Sequence, residues 1–298
     1  MDVLKVENIS KSFGEKQVLK GLDFSVAEHS VYGFVGRNGA GKSTTMKIAL
    51  GLLKADSGDV YVMGDKVRYG NAATNRCVGY LPDVPEFYSF MTAREYLNFC
   101  GELSGLDKST LKQRIEELLE RVGLAAEKKR VKGFSRGMKQ RLGLAQALLH
   151  RPKLLICDEP TSALDPIGRR ELLDILVKAK EETTVLFSTH ILSDVEAICD
   201  KVAVLEKGHV VLSGTIDEIK DAHGRGGVTI MLGSSEECDK LVAAFPRVTR
   251  GMHNTLVYET DKDFTAILKF IADNGLDLFK LERNEITLED LFMEVISE

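Results

Sequence analysis

The hydrophobic residues of the N-terminal part occur in short β-branched and aromatic runs, which is the pattern of β-strands. Turn signals such as Phe13-Gly-Glu-Lys16 separate these runs. The pattern predicts strands at Leu4–Ile9, Gln17–Leu22, Phe24–Val26, Val31–Val35 and Val60–Val62. One helix is expected among them, from Ser43 to Leu53, where the turn residues of 54–58 end it.

From about Thr92 to Lys153 the apolar residues recur at a spacing of three to four, which predicts helices. These helices are Ala93–Leu103, Lys108–Val122 and Lys139–Leu149. Strands are predicted again at Leu154–Cys157, Thr184–Ser188, Val202–Glu206 and His209–Ser213, with helices at Arg169–Lys180 and Ser193–Ile198 between them. The order predicts an α/β core with a parallel sheet and a helical insertion at about 84–153.

A second domain is expected beyond the glycine-rich step His223–Gly227. We therefore divide the chain into residues 1–222 and 223–298. The predicted elements of the second part are Val228–Leu232, Ser235–Phe245, Val248–Met252, Thr255–Glu259, Lys262–Asn274, Leu278–Arg283 and Thr287–Ser297. Their order, β-α-β-β-α-β-α, predicts a small α+β domain of the ferredoxin-like type.

Charge and cysteine content narrow the class of protein. The formal net charge is -5 and the basic residues are spread along the chain, so we expect no dedicated nucleic-acid-binding surface. The five cysteines are far apart, which indicates reduced thiols in a cytosolic protein. No apolar run approaches the roughly 18 to 20 residues of a membrane span. We expect a chain that does not cross a bilayer by itself.

Residues 36–44 read Gly-Arg-Asn-Gly-Ala-Gly-Lys-Ser-Thr, between a predicted strand and a predicted helix. This is the context that a phosphate-binding loop requires, because loop amides and the helix dipole face the phosphates. Lys42 is expected to reach the β- and γ-phosphates, and the Ser43 hydroxyl to ligate Mg²⁺. The predicted nucleotide-binding residues here are Gly36, Arg37, Asn38, Gly39, Ala40, Gly41, Lys42, Ser43 and Thr44.

Two carboxylates end the apolar run Leu154–Cys157. In enzymes with such a loop, a carboxylate at a strand end holds Mg²⁺, often through water, which suits Asp158. Glu159 is then placed to polarise a water for attack on the γ-phosphate. The alternative is a strand that ends in a solvated acidic turn.

Two further segments are candidates for phosphate contacts. His190 follows the next predicted strand and could hydrogen-bond the γ-phosphate or the attacking water, although a single histidine is more often structural. Ser135 and Gly137 precede the helix predicted from Lys139, where a cap and a close backbone approach could offer amides to a phosphate. A plain capping loop is the alternative for this segment, and composition does not decide between the two.

Taken together, these motifs resemble those of the nucleotide-binding subunits of ATP-binding cassette (ABC) transporters, over essentially residues 2–220. The resemblance rests on Gly36–Thr44, Phe134-Ser-Arg-Gly-Met138, Leu154-Leu-Ile-Cys-Asp-Glu-Pro-Thr161, Ser162-Ala-Leu-Asp165 and His190, in the family's order. It implies a P-loop NTPase fold with an antiparallel β subdomain, and a head-to-tail dimer with two ATP molecules at the interface. Each ATP would meet the phosphate loop of one chain and Ser135 to Gly137 of the other, with Asp165 also contributing. Phe13 matches the aromatic residue that stacks on adenine; a core phenylalanine that anchors the turn is the alternative.

The sequence departs from the family pattern at two places. Arg136 and Met138 stand at the third and fifth positions of a segment that usually reads Leu-Ser-Gly-Gly-Gln. Asp83 replaces the family's glutamine, and it could reach Mg²⁺ through water. Both changes, and the ending Leu288-Glu-Asp-Leu-Phe292, look like those of a subgroup that serves two-component (ABC-2 type) exporters, including antibiotic-resistance and bacteriocin-immunity systems.

The resemblance therefore implies an ATPase subunit that powers a separate integral-membrane permease, most simply an exporter, and that lies at the cytoplasmic face of the membrane through this partner. A homodimer with ATP and Mg²⁺ is expected, and no nucleic acid. The alternative is a soluble ABC-type ATPase that acts on nucleic acid or ribosomes. We also expect Phe87, Tyr88 and Phe90 to help line a groove for a cytoplasmic helix of the permease. The C-terminal domain could bind a regulatory ligand or stabilise the dimer.

Overall fold

The structure, a computed structural model, describes residues 1–162, 164–222, 227–258, 264–284 and 287–297, without the side chains of 294–297. It divides into two compact units, Met1–Ile216 (unit 1) and Asp217–Glu298 (unit 2). Most of the glycine-rich step at which the sequence analysis divides the chain, residues 223–226, lies outside the described residues.

An antiparallel sheet opens unit 1. Its strands are β1 (Asp2–Phe13), β2 (Lys16–Ala27), β4 (Ser57–Val62) and β5 (Asp65–Lys66), in the order β2-β1-β4-β5. The two strands predicted at 17–22 and 24–26 are one continuous strand, although its register with β1 is irregular at Asp23. There the Asp23 carboxylate accepts a hydrogen bond from Asn8 N–H at 2.8 Å. Alternate residues such as Leu22, Phe24 and Val26 are buried, as expected for a sheet with one face on the core and the other in solvent.

The second sheet of unit 1 is parallel except for one edge strand. It contains β3 (Val31–Gly36), β6 (Val78–Leu81), β7 (Leu154–Asp158), β8 (Thr184–Thr189), β9 (Lys201–Glu206) and β10 (His209–Thr215), in the order β10-β9-β3-β8-β7-β6. Only β10 runs antiparallel to its neighbour. β3, β7 and β8 are buried along their whole lengths, which explains their continuous apolar sequence. The carboxyl ends of these three strands therefore meet at one edge of the sheet.

Helix α1 (Lys42–Ala49) follows β3 and is shorter than the sequence predicts. The predicted end at Leu53 is wrong, because Gly51 takes a left-handed φ of 67° and stops the helix. The N–H groups of Leu52 and Leu53 then both bond to the Lys47 carbonyl, at 2.9 and 3.1 Å, instead of continuing the helical pattern. The other α-helices of this unit outside the insertion are α5 (Pro166–Ala179) and α6 (Leu192–Ile198). Helix α7 (Ile216–Ala222) follows, and all of it after Ile216 belongs to unit 2.

The helical insertion consists of α2 (Ala93–Leu103), α3 (Lys108–Arg121) and α4 (Arg136–Leu148). The first two begin where the sequence predicts, since Thr92 forms a capping box with Glu95 and Asp107 caps α3. Helix α4 begins three residues earlier than predicted, because the Ser135 hydroxyl caps it by accepting a hydrogen bond from Met138 N–H at 3.2 Å. The first turn of α4 thus contains Arg136 and Gly137.

Unit 2 has the predicted ferredoxin-like arrangement. Its elements are β11 (Val228–Leu232), α8 (Ser235–Ala244), β12 (Val248–Arg250), β13 (Thr255–Tyr258), α9 (Phe264–Asp273), β14 (Leu278–Arg283) and α10 (Leu288–Ser297). The strands form one antiparallel sheet in the order β12-β13-β11-β14. Strand β12 ends two residues before the predicted Met252, because the chain turns there through the left-handed residues His253 and Asn254. Positions 259, 262 and 263, at predicted element ends, lie outside the described residues.

None of the helices that the structure describes in either unit is both long enough and apolar enough to span a bilayer.

Candidate active site

The loop between β3 and α1 wraps around the start of the helix. Gly41 is the N-cap residue of α1 and has a φ of 115°, a backbone conformation that residues with a side chain rarely adopt. A Cβ at Gly36 would lie 2.5 Å from the Leu205 carbonyl oxygen, so the loop passes close to β9. The side chains of Arg37, Asn38 and Ser43 are exposed around this turn, whereas Ala40 is buried. The free amides of the loop and of the helix start therefore surround one concave region.

Lys42 lies in the middle of this region although its side chain is buried. Its ammonium group donates hydrogen bonds to the carbonyl oxygens of Gly36 at 2.6 Å and Arg37 at 3.3 Å. It also forms an ion pair with Glu159, with 3.0 Å between Nζ and Oε1. A cation is thus held at the bottom of the loop by the chain's own acceptors.

The two carboxylates at the end of β7 are in different surroundings. Asp158 is 4 % exposed, and its Oδ1 accepts a hydrogen bond from the Ser188 hydroxyl of β8 at 2.7 Å. Glu159 takes a positive φ of 48°, held by hydrogen bonds from its N–H to Ser188 Oγ at 3.0 Å and Ser188 O at 3.1 Å. The alternative of a solvated acidic turn is wrong, because both carboxylates are enclosed.

His190 completes a line of three charged or titratable groups. Its Nδ1 lies 2.8 Å from Glu159 Oε2, while Glu159 Oε1 pairs with Lys42. The imidazole remains partly open to solvent, with 41 % of the side chain exposed. The structure therefore brings Lys42, Glu159 and His190 together at the carboxyl ends of β3, β7 and β8.

A cavity of about 480 Å³ opens beside this line. It is lined by Lys16, Val18, Asn38, Gly39, Gly41, Lys42, Ser43, Thr44, Asp83 and Glu159. A second cavity, of about 420 Å³, shares part of this lining and adds the cations Lys20, Arg37 and Lys207. Several positive charges around concave backbone amides suit a polyanionic ligand.

Asp83 reaches this cavity from the segment that follows β6 (Val78–Leu81). Its carboxylate accepts a hydrogen bond from the Ser162 hydroxyl at 2.9 Å, and the same oxygen lies 3.8 Å from the Arg136 guanidinium. The structure thus gives the predicted metal candidates unequal positions. Ser43 and Asp83 line the cavity, whereas Asp158 is buried next to Glu159 and contacts Ser188.

The remaining predicted residues do not line this cavity. Ser135 caps α4, Gly137 lies in its first turn, and Asp165 caps α5 by accepting a hydrogen bond from Gly168 N–H at 3.2 Å. Phe13 ends β1 and is 51 % exposed, with the Lys11 ammonium 5.5 Å from its ring centre. Its interpretation as a core phenylalanine is therefore wrong.

Sequence reasoning missed Ser188, which holds both Asp158 and the backbone of Glu159. The available signal is a hydroxyl residue directly after the apolar run Val185-Leu-Phe187, since hydroxyls in a buried strand need hydrogen-bond partners. A second buried contact was also missed, in which Asp194 accepts a hydrogen bond from Thr161 at 2.7 Å and pairs with Arg169. It joins the residues after Glu159 to α5 and α6 and so stabilises the turn that bears the site.

Burial changes two neighbouring pKa values. It raises the pKa of the Tyr80 phenol to about 12, and nearby Asp158 adds to the shift, so the phenol stays neutral between the acidic residues. Burial also raises the pKa of the Cys157 thiol within β7. Both groups are therefore neutral at physiological pH, and they add no charge to the site.

Two protein families match the sequence. The family described as "ABC transporter" matches residues 19–162, which include the phosphate loop, Ser135, Gly137 and the Asp158–Glu159 pair. The family described as "ATP-binding protein DrrA1-3-like, C-terminal domain" matches residues 214–296, which cover nearly all of unit 2.

Full-length relatives carry related descriptions. An uncharacterised ABC transporter ATP-binding protein of Bacillus subtilis, YxlF, is 40 % identical over 99 % of both chains. The bacitracin transport ATP-binding protein BcrA of Bacillus licheniformis is 36 % identical over 99 % of this chain and 97 % of its own. The linearmycin resistance ATP-binding protein LnrL of Bacillus subtilis is 34 % identical over 98 % of both.

Solved structures show the same fold. One described as the ATP-binding subunit of an ABC transporter has a TM-score of 0.67 at 32 % identity, and covers 74 % of this chain and 93 % of its own. The cbiO1 protein of Clostridium perfringens, part of the transporter complex cbiONQ, has a TM-score of 0.68 at 27 % identity and covers 83 % of this chain and 96 % of its own. The predicted P-loop NTPase fold is confirmed.

Proposed function

The chain belongs to the ATP-binding proteins of ABC transporters, and we propose that two copies of it close around two ATP molecules to drive an exporter permease. The family hydrolyses ATP to power transport, so the chain is an ATPase subunit of a transporter. The observation that most directly supports ATP binding and hydrolysis at this site is the arrangement of Lys42, Glu159 and His190 beside the cavity of the phosphate loop.

ATP is proposed to bind with its phosphates in the loop from Gly36 to Thr44. The amides of the loop and of the start of α1 would bind the phosphate oxygens, and Lys42 would move its charge from Glu159 to the β- and γ-phosphates. The adjoining cations Arg37, Lys16 and Lys20 would attract the polyanion into the site. Phe13, which is exposed at the end of β1, is proposed to stack on adenine.

Mg²⁺ fits the donors of the site. Ser43 and Asp83 line the cavity and Asp158 lies next to Glu159, so the candidates are all hard oxygen ligands of the kind that Mg²⁺ prefers. We propose Ser43 as a direct ligand and the two aspartates as ligands through water. When bound, the ion would neutralise part of the phosphate charge.

Glu159 is proposed as the general base for hydrolysis. In the structure its carboxylate pairs with Lys42, and this contact has to be released when the phosphates take up the lysine. The freed oxygen could then orient a water for in-line attack, while His190 holds the second oxygen at 2.8 Å. Positioning and electrostatic stabilisation supply most of the rate enhancement in such reactions.

A dimer is proposed because part of the predicted site does not reach the cavity of its own chain. Ser135 and Asp165 are exposed, and neither they nor Gly137 line that cavity. Their backbone groups lie at helix starts, where amides remain available for an anion. A second copy would supply these groups to the phosphates of the first.

A groove of about 540 Å³ is the proposed contact site for the permease. It is lined by Val84, Pro85, Glu86, Phe87, Ser89, Val131, Lys132, Arg136 and Lys139. Of the three aromatic residues expected there, Phe87 lines the groove, and its ring packs edge-on against Tyr96 at 5.0 Å. Tyr88 and Phe90 are exposed, with their ring centres 5.9 Å apart, and they do not line the groove. This supports a smaller role for them in contacting the permease.

Export is proposed from the relatives, because BcrA is described as a bacitracin transport protein and LnrL as a linearmycin resistance protein. These descriptions favour a transporter over an ATPase that acts on nucleic acid or ribosomes. The chain would lie at the cytoplasmic face of the membrane, attached through the permease.

Co-purification tests this proposal. The tagged chain is isolated from its own membranes in mild detergent, and a multi-span membrane protein is expected in stoichiometric amount. Phe87→Ser should reduce the recovered partner, whereas Tyr69→Ser should not, because Tyr69 is an exposed aromatic of unit 1 that does not line the groove. Recovery of ribosomes or DNA without any membrane protein would contradict the proposal.

A further inference from the structure

The segment that carries Asp83 is held by two residues of α4, one helical turn apart. The Gln140 side chain donates a hydrogen bond to the Asp83 carbonyl oxygen at 2.7 Å, and Gln140 is itself only 2 % exposed. Arg136, four residues earlier, directs its guanidinium to the Asp83 carboxylate at 3.8 Å. Residues at i and i+4 share one face of a helix, so α4 contacts both the backbone and the charge of Asp83.

This face of α4 packs tightly against the segment. A Cβ added at Gly143, one further turn along, would lie 2.7 Å from Leu81 Cδ1 and 3.2 Å from Pro85 Cβ. The glycine therefore permits a close approach of α4 to residues 81–85. The packing and the Gln140 bond fix the distance between the backbones of α4 and residues 81–85. Arg136 and Asp83 are therefore kept within reach of each other.

The position of the Asp83 carboxylate matters for a nucleotide. Asp83 and Glu159 are the two acidic residues that line the phosphate-loop cavity, together with Lys42 and Ser43. In the structure, Ser162 and Arg136 both contact the same Asp83 oxygen, Oδ1. Without these contacts the carboxylate could turn further into the cavity, where it would repel phosphate oxygens.

We propose that Arg136 is a positioning residue, which together with Ser162 holds the Asp83 carboxylate at the cavity wall and so strengthens nucleotide binding. The inference rests on the proposed function, since it requires that phosphates occupy this cavity. It goes beyond that function by giving roles within one chain to two residues at which the sequence departs from the family pattern.

The test is a double-mutant cycle on nucleotide affinity, with Arg136→Gln, Asp83→Asn and both changes together. Binding of ATP is measured in the full-length chain by calorimetry in the presence of EDTA, so that no metal bridges Asp83 and the phosphates. Arg136→Gln should weaken ATP binding by about three- to fivefold, the upper range for a half-exposed ion pair. The same change in the Asp83→Asn chain should leave affinity unchanged, because the carboxylate to be positioned is absent.

Two further variants separate positioning from other roles. Arg136→Lys keeps the charge and should restore part of the lost affinity. Lys139→Gln removes a neighbouring positive charge of α4 that also lines the groove but forms no described contact with Asp83, and it should leave ATP affinity unchanged. At about 1 M salt, where screening acts over about 3 Å, the effect of Arg136→Gln should shrink.

The outcomes are distinguishable. If Arg136→Gln weakened ATP binding equally in the unaltered chain and in the Asp83→Asn chain, the inference would be overturned, because the guanidinium would then act on the nucleotide directly. If the unaltered chain bound no ATP with Mg²⁺ either, the proposed function itself would be contradicted. Unaltered melting temperatures of the variants would show that folding is intact.

Discussion

Units 1 and 2 both pack helices on a β-sheet, yet their interiors differ in kind. Among the described residues, the buried charged, amide, Ser and Thr side chains all belong to unit 1. Several of them, including Lys42, Asp158 and Ser188, lie at or near the carboxyl ends of the parallel strands. The buried cluster of unit 2 consists of residues such as Val228, Ile230, Leu241 and Ile267.

The buried polar groups mark unit 1 as the part of the chain that contains the proposed chemistry. Burying a polar group costs free energy unless it is hydrogen-bonded, and a buried charge costs more. Unit 1 contains such groups at the strand ends, where their partners orient one another around a cavity. Unit 2 buries an apolar cluster instead, and its described part contains no comparable group of buried charges.

The largest expected effect comes from the core of unit 2. Ile230→Ala removes a fully buried side chain from β11 and should lower the free energy of unfolding of this unit by about 2–5 kcal/mol. The affinity of the chain for ATP should stay unchanged, because the proposed site belongs to unit 1. Urea unfolding and ATP calorimetry measure the two quantities.

Val257→Ala serves as the control for this change, because Val257 lies on the neighbouring strand β13 and is only half buried. Its cost should be clearly smaller. If ATP affinity fell in step with the stability of unit 2, the separation of roles between the two units would be wrong.

A smaller effect separates two serines. Ser188→Ala removes the hydroxyl that donates to Asp158 and accepts from Glu159 N–H, and it should cost about 1–3 kcal/mol of stability. ATP hydrolysis should also fall, by roughly 10- to 100-fold, because the base loses its position. Steady-state phosphate release and thermal unfolding provide the two readouts.

Ser234→Ala is the matched change in unit 2. Ser234 caps α8 in a capping box with Glu237, so its loss should cost about 1 kcal/mol. Hydrolysis should remain at the unaltered rate. If the two serine changes lowered hydrolysis in proportion to the stability that each removes, the assignment of the catalytic groups to unit 1 would be contradicted.

The sequence predicted most of the elements and the centre of the site for a physical reason. The strand β3, the phosphate loop and the start of α1 lie in one continuous segment. Their arrangement around Gly36 to Thr44 therefore follows from local spacing alone. The apolar runs that end in Asp158 and His190 are buried strands of one sheet, and their ends meet because parallel strands end at the same edge.

Contacts between distant segments could not be predicted in this way. The bond from Ser188 to Asp158 depends on the register of β7 with β8, and the contact of Arg136 with Asp83 depends on how closely α4 approaches the segment after β6. Helix ends were also misplaced where a backbone conformation decides them, as at Gly51. Such features require the tertiary structure, because no local pattern encodes them.

We infer that ATP joins two copies of this chain, and that hydrolysis with Glu159 as the base separates them again. Glu159→Gln keeps the shape of the side chain but removes the proposed base, and sedimentation with and without ATP and Mg²⁺ measures the mass. We predict a single chain of 32.9 kDa without nucleotide and a stable species of twice that mass with ATP, with no phosphate released. A variant that binds ATP yet stays a single chain, or that hydrolyses ATP at the unaltered rate, would contradict this claim.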